Sequence, residues 1–221
     1  MIIRAVADIL RVSREAERES RGPRRGRNSR CVSFVWGKEK GNGRWERMEQ
    51  IDLGPVYLRP IRMEDTDDIV RWRNEEHVRK NFFYRAPFTP QGHREWMEKR
   101  VASGEVVQFI LCEKEGDRPV GSVYFRDVDR EQRKAEYGIF IGEKDGLGKG
   151  YGTLAAQGAV RYAEKVMGLH KLMLRVFADN TAARKSYERA GFEQEGLLRE
   201  DFREEDGSYR DVILMAALFP Q

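Results

Sequence analysis

The sequence predicts an α/β domain with a mixed, mostly antiparallel central sheet flanked by helices, in the order β-α-α-β-β-β-α-β-α-β-β. Three observations predict this class. β-rich segments follow one another at short intervals between residues 106 and 141, as in an antiparallel meander. A glycine-dense segment then leads into a helical pattern and another strand. The chain ends with two β-rich segments around Asp206-Gly207, which is a hairpin signal.

The first half of the domain contains one strand, two helices and the meander. Residues 56–59 alternate and form a strand that Pro60 ends. A helix is predicted to begin at residues 63–65, because acidic residues are favoured in the first turn of a helix, where the dipole is positive. A second helix is predicted over residues 91–101. The meander strands are predicted at residues 106–112, 119–125 and 134–141.

The second half alternates helices with strands. A helix is predicted over residues 153–167, and a strand over 172–176 follows it. The next helix covers residues 180–190, and Gly191 closes it, since glycine readily adopts the left-handed conformation found at helix ends. The last two strands are predicted at residues 196–202 and 209–218.

Charge divides the chain into a basic extension, residues 1–50, and a nearly neutral domain, residues 51–221. The extension has 13 Lys and Arg against 7 Asp and Glu, a net charge of +6, whereas the domain has a net charge of −2. Residues 21–30 hold five arginines and no apolar residue, so the extension is predicted to be disordered. Two alternatives stay open: an arginine arm that binds nucleic acid, and a true start at Met48, where the composition changes abruptly.

Composition excludes several classes of protein. Two cysteines, Cys31 and Cys112, are too few for a disulfide framework or a metal cluster, so no metal is predicted. No apolar run approaches the roughly 18 residues of a membrane helix. Arginines follow the short apolar run at residues 6–10, which does not fit a signal peptide. We therefore expect a cytoplasmic protein without membrane contacts, and the neutral domain gives no reason to expect nucleic acid as a partner.

A glycine loop, residues 146–152, lies between a predicted strand and a predicted helix and reads GLGKGYG. Glycines let backbone N–H groups converge, and the helix N-terminus adds a positive dipole end, so the loop suits a pyrophosphate. Lys149 adds a charge. The loop lacks the Gly-Lys-Ser/Thr ending of a P-loop, and a meander precedes it rather than the first strand of a dinucleotide-binding βαβ unit. Taken alone, it also fits a plain turn.

A second motif begins thirty residues after Gly150 and reads NTAARKSYERAGF. Asn180 is a good N-cap for the helix that follows. Tyr187 lies two helical turns later, on the same face of the helix. Taken alone, the two residues also fit a helix cap and a half-buried core tyrosine.

Together, the two motifs and the strand order resemble the GNAT superfamily of N-acetyltransferases, over residues 54–218. Within it the chain is similar to the ribosomal-protein-alanine, spermidine and nucleotide-amino-sugar acetyltransferases. The resemblance implies transfer of an acetyl group from acetyl-CoA, as cosubstrate, to a primary amine, without a metal or a covalent enzyme intermediate. Leu147 stands where Gln or Arg is usual in the family, and this change is expected to weaken one phosphate contact.

The resemblance also implies roles for single residues. The amides of the glycine loop would bind the CoA pyrophosphate, and the preceding strand and Asn180 would contact the pantetheine arm. Tyr187 would be the catalytic acid that protonates the departing thiolate. The residues expected to bind acetyl-CoA are Ile139, Phe140, Ile141, Gly148, Lys149, Gly150, Tyr151, Gly152 and Asn180.

Glu136 is the expected base. Strand alternation puts Glu136, Gly138 and Phe140 on one face, and in the family a bulge here, which Gly138 would allow, splays two strands. An alkylamine is mostly protonated at pH 7, so Glu136 would take its proton directly or through water. The alternative is a carboxylate at the sheet rim, paired with Arg133 or Lys134.

The acceptor is a small-molecule or peptide amine whose identity stays open. Cations and aromatic residues cluster between residues 71 and 96. The Trp-Arg-Asn pattern and the helix-borne histidine are similar to those of acetyltransferases that modify nucleotide-linked amino sugars. There, aromatic rings can stack on a base or sugar and Arg or Lys can hold the diphosphate, so the resemblance favours a nucleotide-linked amino sugar over a protein N-terminus or a polyamine. A plain core role for the aromatic residues, a CoA-binding regulator without turnover, and a homodimer are also left open. The candidates for substrate contact are Trp72, Arg73, Asn74, Tyr84 and His93.

Overall fold

The computed structural model describes residues 36–40, 44–47 and 50–220. The first two ranges are short strands, β1 (Trp36–Lys40) and β2 (Arg44–Arg47), which pair antiparallel. The sequence predicts no strand there, because glycine and charged residues dominate this stretch. The rest of the N-terminal extension lies outside the described residues, so its disorder and the domain boundary at residue 50 stay predictions.

Within residues 50–220, eight further strands form one mixed sheet. They are β3 (Ile51–Asp52), β4 (Val56–Pro60), β5 (Val107–Glu113), β6 (Arg118–Asp129), β7 (Lys134–Ile141), β8 (Lys171–Phe177), β9 (Glu193–Arg203) and β10 (Tyr209–Leu218). Their spatial order is β3-β4-β5-β6-β7-β8-β10-β9, and every neighbouring pair is antiparallel except β7 and β8. The predicted mixed, mostly antiparallel sheet is confirmed, and the two-residue β3 is an addition to it.

Five α-helices lie in the same described range. They are α1 (Thr66–Asn74), α2 (Glu76–Arg79), α3 (Pro90–Trp96), α4 (Tyr151–Lys165) and α5 (Thr181–Arg189). A 3₁₀ turn, Met63–Asp65, precedes α1, and a π-helical turn, Met97–Val101, extends α3. The sequence predicts each of these helices except the single turn of α2.

Helix α4 lies close to the sheet because alanines form its inner face. Ala155, Ala156, Ala159 and Ala163 are all fully buried, and small side chains let a helix backbone approach its neighbour. The N-terminus of α4 is therefore fixed at the edge of the core, and the glycine loop is fixed with it.

The two faces of the sheet have different coverings. Tyr137 belongs to the core that α4 and α5 cover, and Ile139 packs against that core. On the other face, Phe140 packs edge-on against Trp72 of α1, with ring centroids 6.2 Å apart. Alternation along β7 places Glu136 with Phe140 on this second face, which we call the α1/α3 face.

The parallel pair β7–β8 diverges partway along its length. The two strands pair from Lys134 to Glu136 and separate beyond that point, although β7 continues to Ile141. The expectation of a bulge at Gly138 is wrong. β7 pairs with β6 without interruption from Glu136 to Ile141, and the irregularity in this pairing lies between Arg126 and Asp129 of β6. Divergence of two regular strands, rather than a bulge, opens the sheet.

Candidate active site

A cleft of about 1600 Å³ opens where β7 and β8 separate. Its lining includes Gly148 and Gly150 of the glycine loop, Asn180, Tyr187 and the end of β7. The structure therefore brings together the two motifs that the sequence analysis joined by resemblance.

The glycine loop presents free amides at this cleft. Gly148 and Gly150 have φ values of +76° and +80°, which side chains other than glycine adopt only under strain. The amides of residues 148–152 make no hydrogen bond to the described protein, and α4 starts directly after Gly150. Converging N–H groups and a positive helix end form a site suited to a diphosphate.

Side chains of the loop are anchored on Glu113 at the end of β5. The Lys149 Nζ and the Tyr151 hydroxyl lie 3.0 and 2.9 Å from Oε1, and Arg118 lies 2.8 Å from Oε2. Hydrogen bonds from Lys149, Arg118 and Tyr151 lower the pKa of Glu113 to about 2. The Lys149 charge is thus drawn to Glu113 and Lys149 is not among the residues that line the cleft. The sequence analysis had instead added this charge to the anion site. No local pattern marks Glu113 as the anchor of the loop, because Lys149 and Tyr151 are distant from it in the chain.

Leu147 lies half-exposed on the rim of the cleft. Its amide donates to the carbonyl of Lys144 at 3.2 Å, so neither its side chain nor its amide is available to a phosphate. The loop amides that begin at Gly148 carry the anion site without it.

Tyr187 reaches the cleft from α5 and is buried except for 9% of its surface. Its ring packs edge-on against Tyr137 and Phe192, with centroids 6.1 and 6.0 Å away. Burial, with a smaller contribution from Tyr124, raises the pKa of Tyr187 above its ordinary value. The phenol therefore stays protonated at neutral pH, as a proton donor must.

Asn180 caps α5, as predicted: its Oδ1 accepts the amide of Ala183 at 3.2 Å. Its Nδ2 donates to Oδ1 of Asn81, also at 3.2 Å. The side chain thus joins α5 to the segment between α2 and α3 while lining the cleft.

The end of β7 supplies an unpaired strand edge. Ile139, Phe140 and Ile141 line the cleft and pair with β6 on one side, whereas β8 has separated on the other side. Backbone groups on such an edge can pair with an extended ligand.

Glu136 lies at the point of divergence and is held by two arginines. Arg126 Nη2 is 2.5 Å and Arg175 Nε is 3.5 Å from its Oε1. The carboxylate is mostly buried and lines the cleft. The alternative partners Arg133 and Lys134, considered from the sequence, are not the residues that pair with it.

Tyr124 of β6 is a cleft residue that the sequence analysis missed. Burial raises the pKa of its phenol, and the charges of Arg126 and Arg73 partly oppose this rise. Ser122, Tyr124 and Arg126 share a strand face by alternation, but only the pairing with β7 shows that this face meets the cleft.

The five candidates for substrate contact separate into two groups. Arg73, Tyr84 and His93 line the cleft. Trp72 is fully buried and donates to Glu143 at 2.9 Å, so it stabilises the core rather than contacting a substrate. Asn74 clasps the backbone of Phe88 with two hydrogen bonds of 2.9 Å, and thereby fixes the segment before α3.

A network of ion pairs closes one wall of the cleft. Arg85 pairs with Glu204, and Arg210 lies 3.2 Å from the same carboxylate and also pairs with Asp179. The backbone carbonyl of Lys80 accepts from Arg85 and Arg210 at 3.0 and 3.1 Å. These contacts tie the segment before α3 to the β9–β10 hairpin.

Cys112 is fully buried, and burial raises its pKa to about 11, so its thiol is not an activated nucleophile. Between residues 50 and 220, no group of three His, Cys, Asp or Glu side chains is placed to hold a metal ion.

Residues 56–193 match the acetyltransferase (GNAT) domain family. The chain belongs to this family and is an acetyl-CoA-dependent N-acetyltransferase.

Relatives show which acceptors similar proteins use. The spermidine N(1)-acetyltransferase of Escherichia coli K12 is 30% identical over 160 residues, 72% of this chain and 84% of that protein. The ribosomal protein uS5-alanine N-acetyltransferase of the same strain is 26% identical, over 67% of this chain and 82% of its own length. A structure of Vibrio cholerae spermidine N-acetyltransferase with CoA and spermine has a TM-score of 0.70 at 26% identity, covering 74% of this chain and 95% of that one. Another structure of that enzyme is dodecameric.

These relatives act on a polyamine or a ribosomal protein, so they give no support to a nucleotide-linked amino sugar as the acceptor.

In the described part of the chain, no helix combines the length and the apolar character needed to span a bilayer.

Proposed function

We propose that this protein moves the acetyl group of acetyl-CoA directly to a primary amine bound on the α1/α3 face, with Tyr187 as the acid. The observation that carries the proposal is that the free amides of the glycine loop, the unpaired edge of β7 and Tyr187 all line one cleft. This arrangement supports a donor that enters between two diverging strands.

The donor would be held along its length. The amides of residues 148–152 bind the diphosphate, and the edge of β7 at residues 139–141 pairs with the pantetheine arm together with Asn180. The bound thioester supplies an activated acetyl carbonyl, so the protein needs no nucleophile of its own.

The residues at the site account for every proton that moves in the transfer step. The neutral amine nitrogen attacks the thioester carbonyl carbon, a C–N bond forms and the C–S bond breaks. Tyr187 gives its proton to the sulfur, and the proton that nitrogen loses passes to Glu136, directly or through water, and returns to Tyr187 through solvent. Arg126 and Arg175 hold the Glu136 carboxylate in place for this role.

Substitution of Tyr187 tests the proposal. Tyr187→Phe removes the proton donor and keeps the ring, so we expect kcat to fall by about 10²–10⁴ while acetyl-CoA binding is retained. Tyr162→Phe is the control, because Tyr162 is equally buried in the core and does not line the cleft. CoA release measured with a panel of amines gives the rates, and an unchanged kcat in Tyr187→Phe would remove Tyr187 as the acid.

A polyamine is one candidate for this primary amine, because a spermidine acetyltransferase is 30% identical to the chain. A CoA-binding regulator is the alternative of another class, and the presence of Tyr187 and Glu136 beside the donor site speaks for turnover. The arginine arm that would bind nucleic acid lies outside the described residues.

A cytoplasmic location and a homodimer remain predictions from the sequence. The dodecamer of the Vibrio cholerae relative makes light scattering of the full-length protein a direct check of self-association.

A further inference from the structure

The carboxylates that line the cleft are all paired with arginine, within the described residues. The pairs are Asp127–Arg126, Glu136–Arg126, Glu136–Arg175, Asp179–Arg210, Glu204–Arg85 and Glu204–Arg210. An acceptor with several ammonium groups is held best by unpaired carboxylates, which this lining does not offer. The charge pattern therefore disfavours a polycation.

Arg73 shows the opposite condition, a buried cation without a counter-charge. Only 6% of its surface is exposed, and no carboxylate of the described residues pairs with it. Its Nη2 donates to the Tyr84 carbonyl at 3.2 Å, and its guanidinium lies 3.3 Å from the centroid of the Phe82 ring. Its Nη1 is buried with no hydrogen-bond partner, although the residue lines the cleft.

Uncompensated burial of this kind is costly to a charged group. Consistent with this, burial lowers the pKa of Arg73 to about 10. An anion at Nη1 would complete both the charge and the hydrogen bond. The Arg73 charge lowers the pKa of Tyr124, so the two side chains lie near each other. An anion at Nη1 would therefore lie on the α1/α3 face, where the amine is proposed to bind.

Two neutral side chains in the same cleft also have unsatisfied polar atoms. His93 and Gln108 are 4% and 5% exposed, and His93 Nε2 and Gln108 Oε1 have no partner. Gln108 pairs in register with Tyr124, and burial lowers the pKa of His93 to about 4, which leaves its imidazole neutral. These atoms suit the hydrogen-bonding groups of a ligand, and they bring no negative charge that would compete for Arg73.

We propose that the acceptor is an amine that also carries an anionic group, a carboxylate or a phosphate, and that Arg73 is the residue that selects it. The proposal rests on the proposed transfer function, and it names the class of acceptor.

Matched pairs of amines test the selection with the full-length protein. The probes are 4-aminobutyrate against butylamine, for a carboxylate, and O-phosphoethanolamine against ethanolamine, for a phosphate, with spermidine as the polycation. We expect the anionic member of at least one pair to have a kcat/KM about 10- to 100-fold higher, as a charge-assisted hydrogen bond gives. The pair that shows the preference identifies the anion.

The variant Arg73→Gln should bring that preference close to one, mainly through KM, and Arg73→Lys should retain part of it. Arg79→Gln is the control, because Arg79 is partly exposed on α2, pairs with Glu76 and does not line the cleft. Acetyl-CoA affinity measured on each variant shows that the fold and the donor site are intact. A purely structural role for Arg73 would lower both members of a pair equally and leave their ratio unchanged, which would overturn the proposal.

Calorimetry gives a readout that needs no turnover and no variant. We expect 4-acetamidobutyrate to bind the CoA-loaded wild-type protein more tightly than N-butylacetamide, or the corresponding phosphate product to bind more tightly than N-acetylethanolamine. If neither anionic product binds better, or if spermidine is the best acceptor, the inference fails and the transferase function stands. If no amine releases CoA although acetyl-CoA binds, the transferase proposal fails, and the binding comparison still decides the role of Arg73.

Discussion

Tyr124 lies directly opposite Gly138 in the pairing of β6 with β7, and its ring occupies the space of a side chain at position 138. A Cβ placed on Gly138 would lie 2.1 Å from Tyr124 Cζ and 2.2 Å from its hydroxyl oxygen. The glycine is therefore required by a ring that lies flat across the strand. Tyr124 also lines the cleft, so this contact helps to shape it.

Gly138→Ala is expected to displace Tyr124 and to disturb the site. Overpacking of this kind costs about 1–3 kcal/mol of unfolding free energy, and we expect CoA release to slow by at least about tenfold because the ring can no longer lie on β7. Urea unfolding and steady-state rates measure the two effects. Gly196→Ala is the control, since its Cβ would meet only Leu214 Cδ1 at 3.7 Å. Wild-type stability and rate in Gly138→Ala would contradict this account.

Sequence reasoning predicted the parts of the site that local pattern encodes. Asn180 and Gly150 are visible because a cap and a left-handed turn have strong residue preferences. Glu113 and Tyr124 were missed, because only the tertiary fold brings Glu113 to the loop residues Lys149 and Tyr151, and only strand pairing brings Tyr124 to Gly138. The role assigned to Gly138 was wrong for the same reason, since glycine in a strand indicates either a bulge or a close neighbour, and the register decides between them.

Gly150→Val tests whether the glycine loop holds the donor. A β-branched residue at φ +80° is strained, so the loop amides should turn away from the cleft and the KM for acetyl-CoA should rise about tenfold or more. Gly54→Val is the matched control, because Gly54 has a φ of +90° in a turn that does not line the cleft. Both variants lose stability from strain, and an equal KM in the two would refute the assignment of the loop.

Glu113→Gln tests the anchor beneath the loop. Hydrogen bonds from Lys149, Arg118 and Tyr151 lower the pKa of Glu113 from 4.5 to about 2. The charged form therefore adds stability above about pH 4.5, and this contribution is lost as the pH falls towards 2. We expect wild type to exceed the variant by about 1–2 kcal/mol at pH 7 and by less at pH 3.

Urea unfolding at pH 7, 5 and 3 measures that difference, and the KM for acetyl-CoA should rise because the loop loosens. Glu188→Gln is the control, since Glu188 is exposed on α5. A stability gap that stays constant from pH 7 to pH 3 would show that the Glu113 charge does not anchor the loop.

Glu136→Gln separates a base from a merely structural carboxylate. As the base, Glu136 would take a proton in each turnover, so the amide should lower kcat by about 10²-fold while acetyl-CoA binding is retained. If Glu136 only neutralises Arg126 and Arg175, the variant should be less stable, and its rate should fall no further than that of a variant at a comparable ion pair. Glu204→Gln is the matched control, because it also removes a mostly buried carboxylate held by two arginines, Arg85 and Arg210. Steady-state rates and urea unfolding measure the two effects, and an equal loss of rate in both variants would assign that loss to the ion pairs and not to proton transfer.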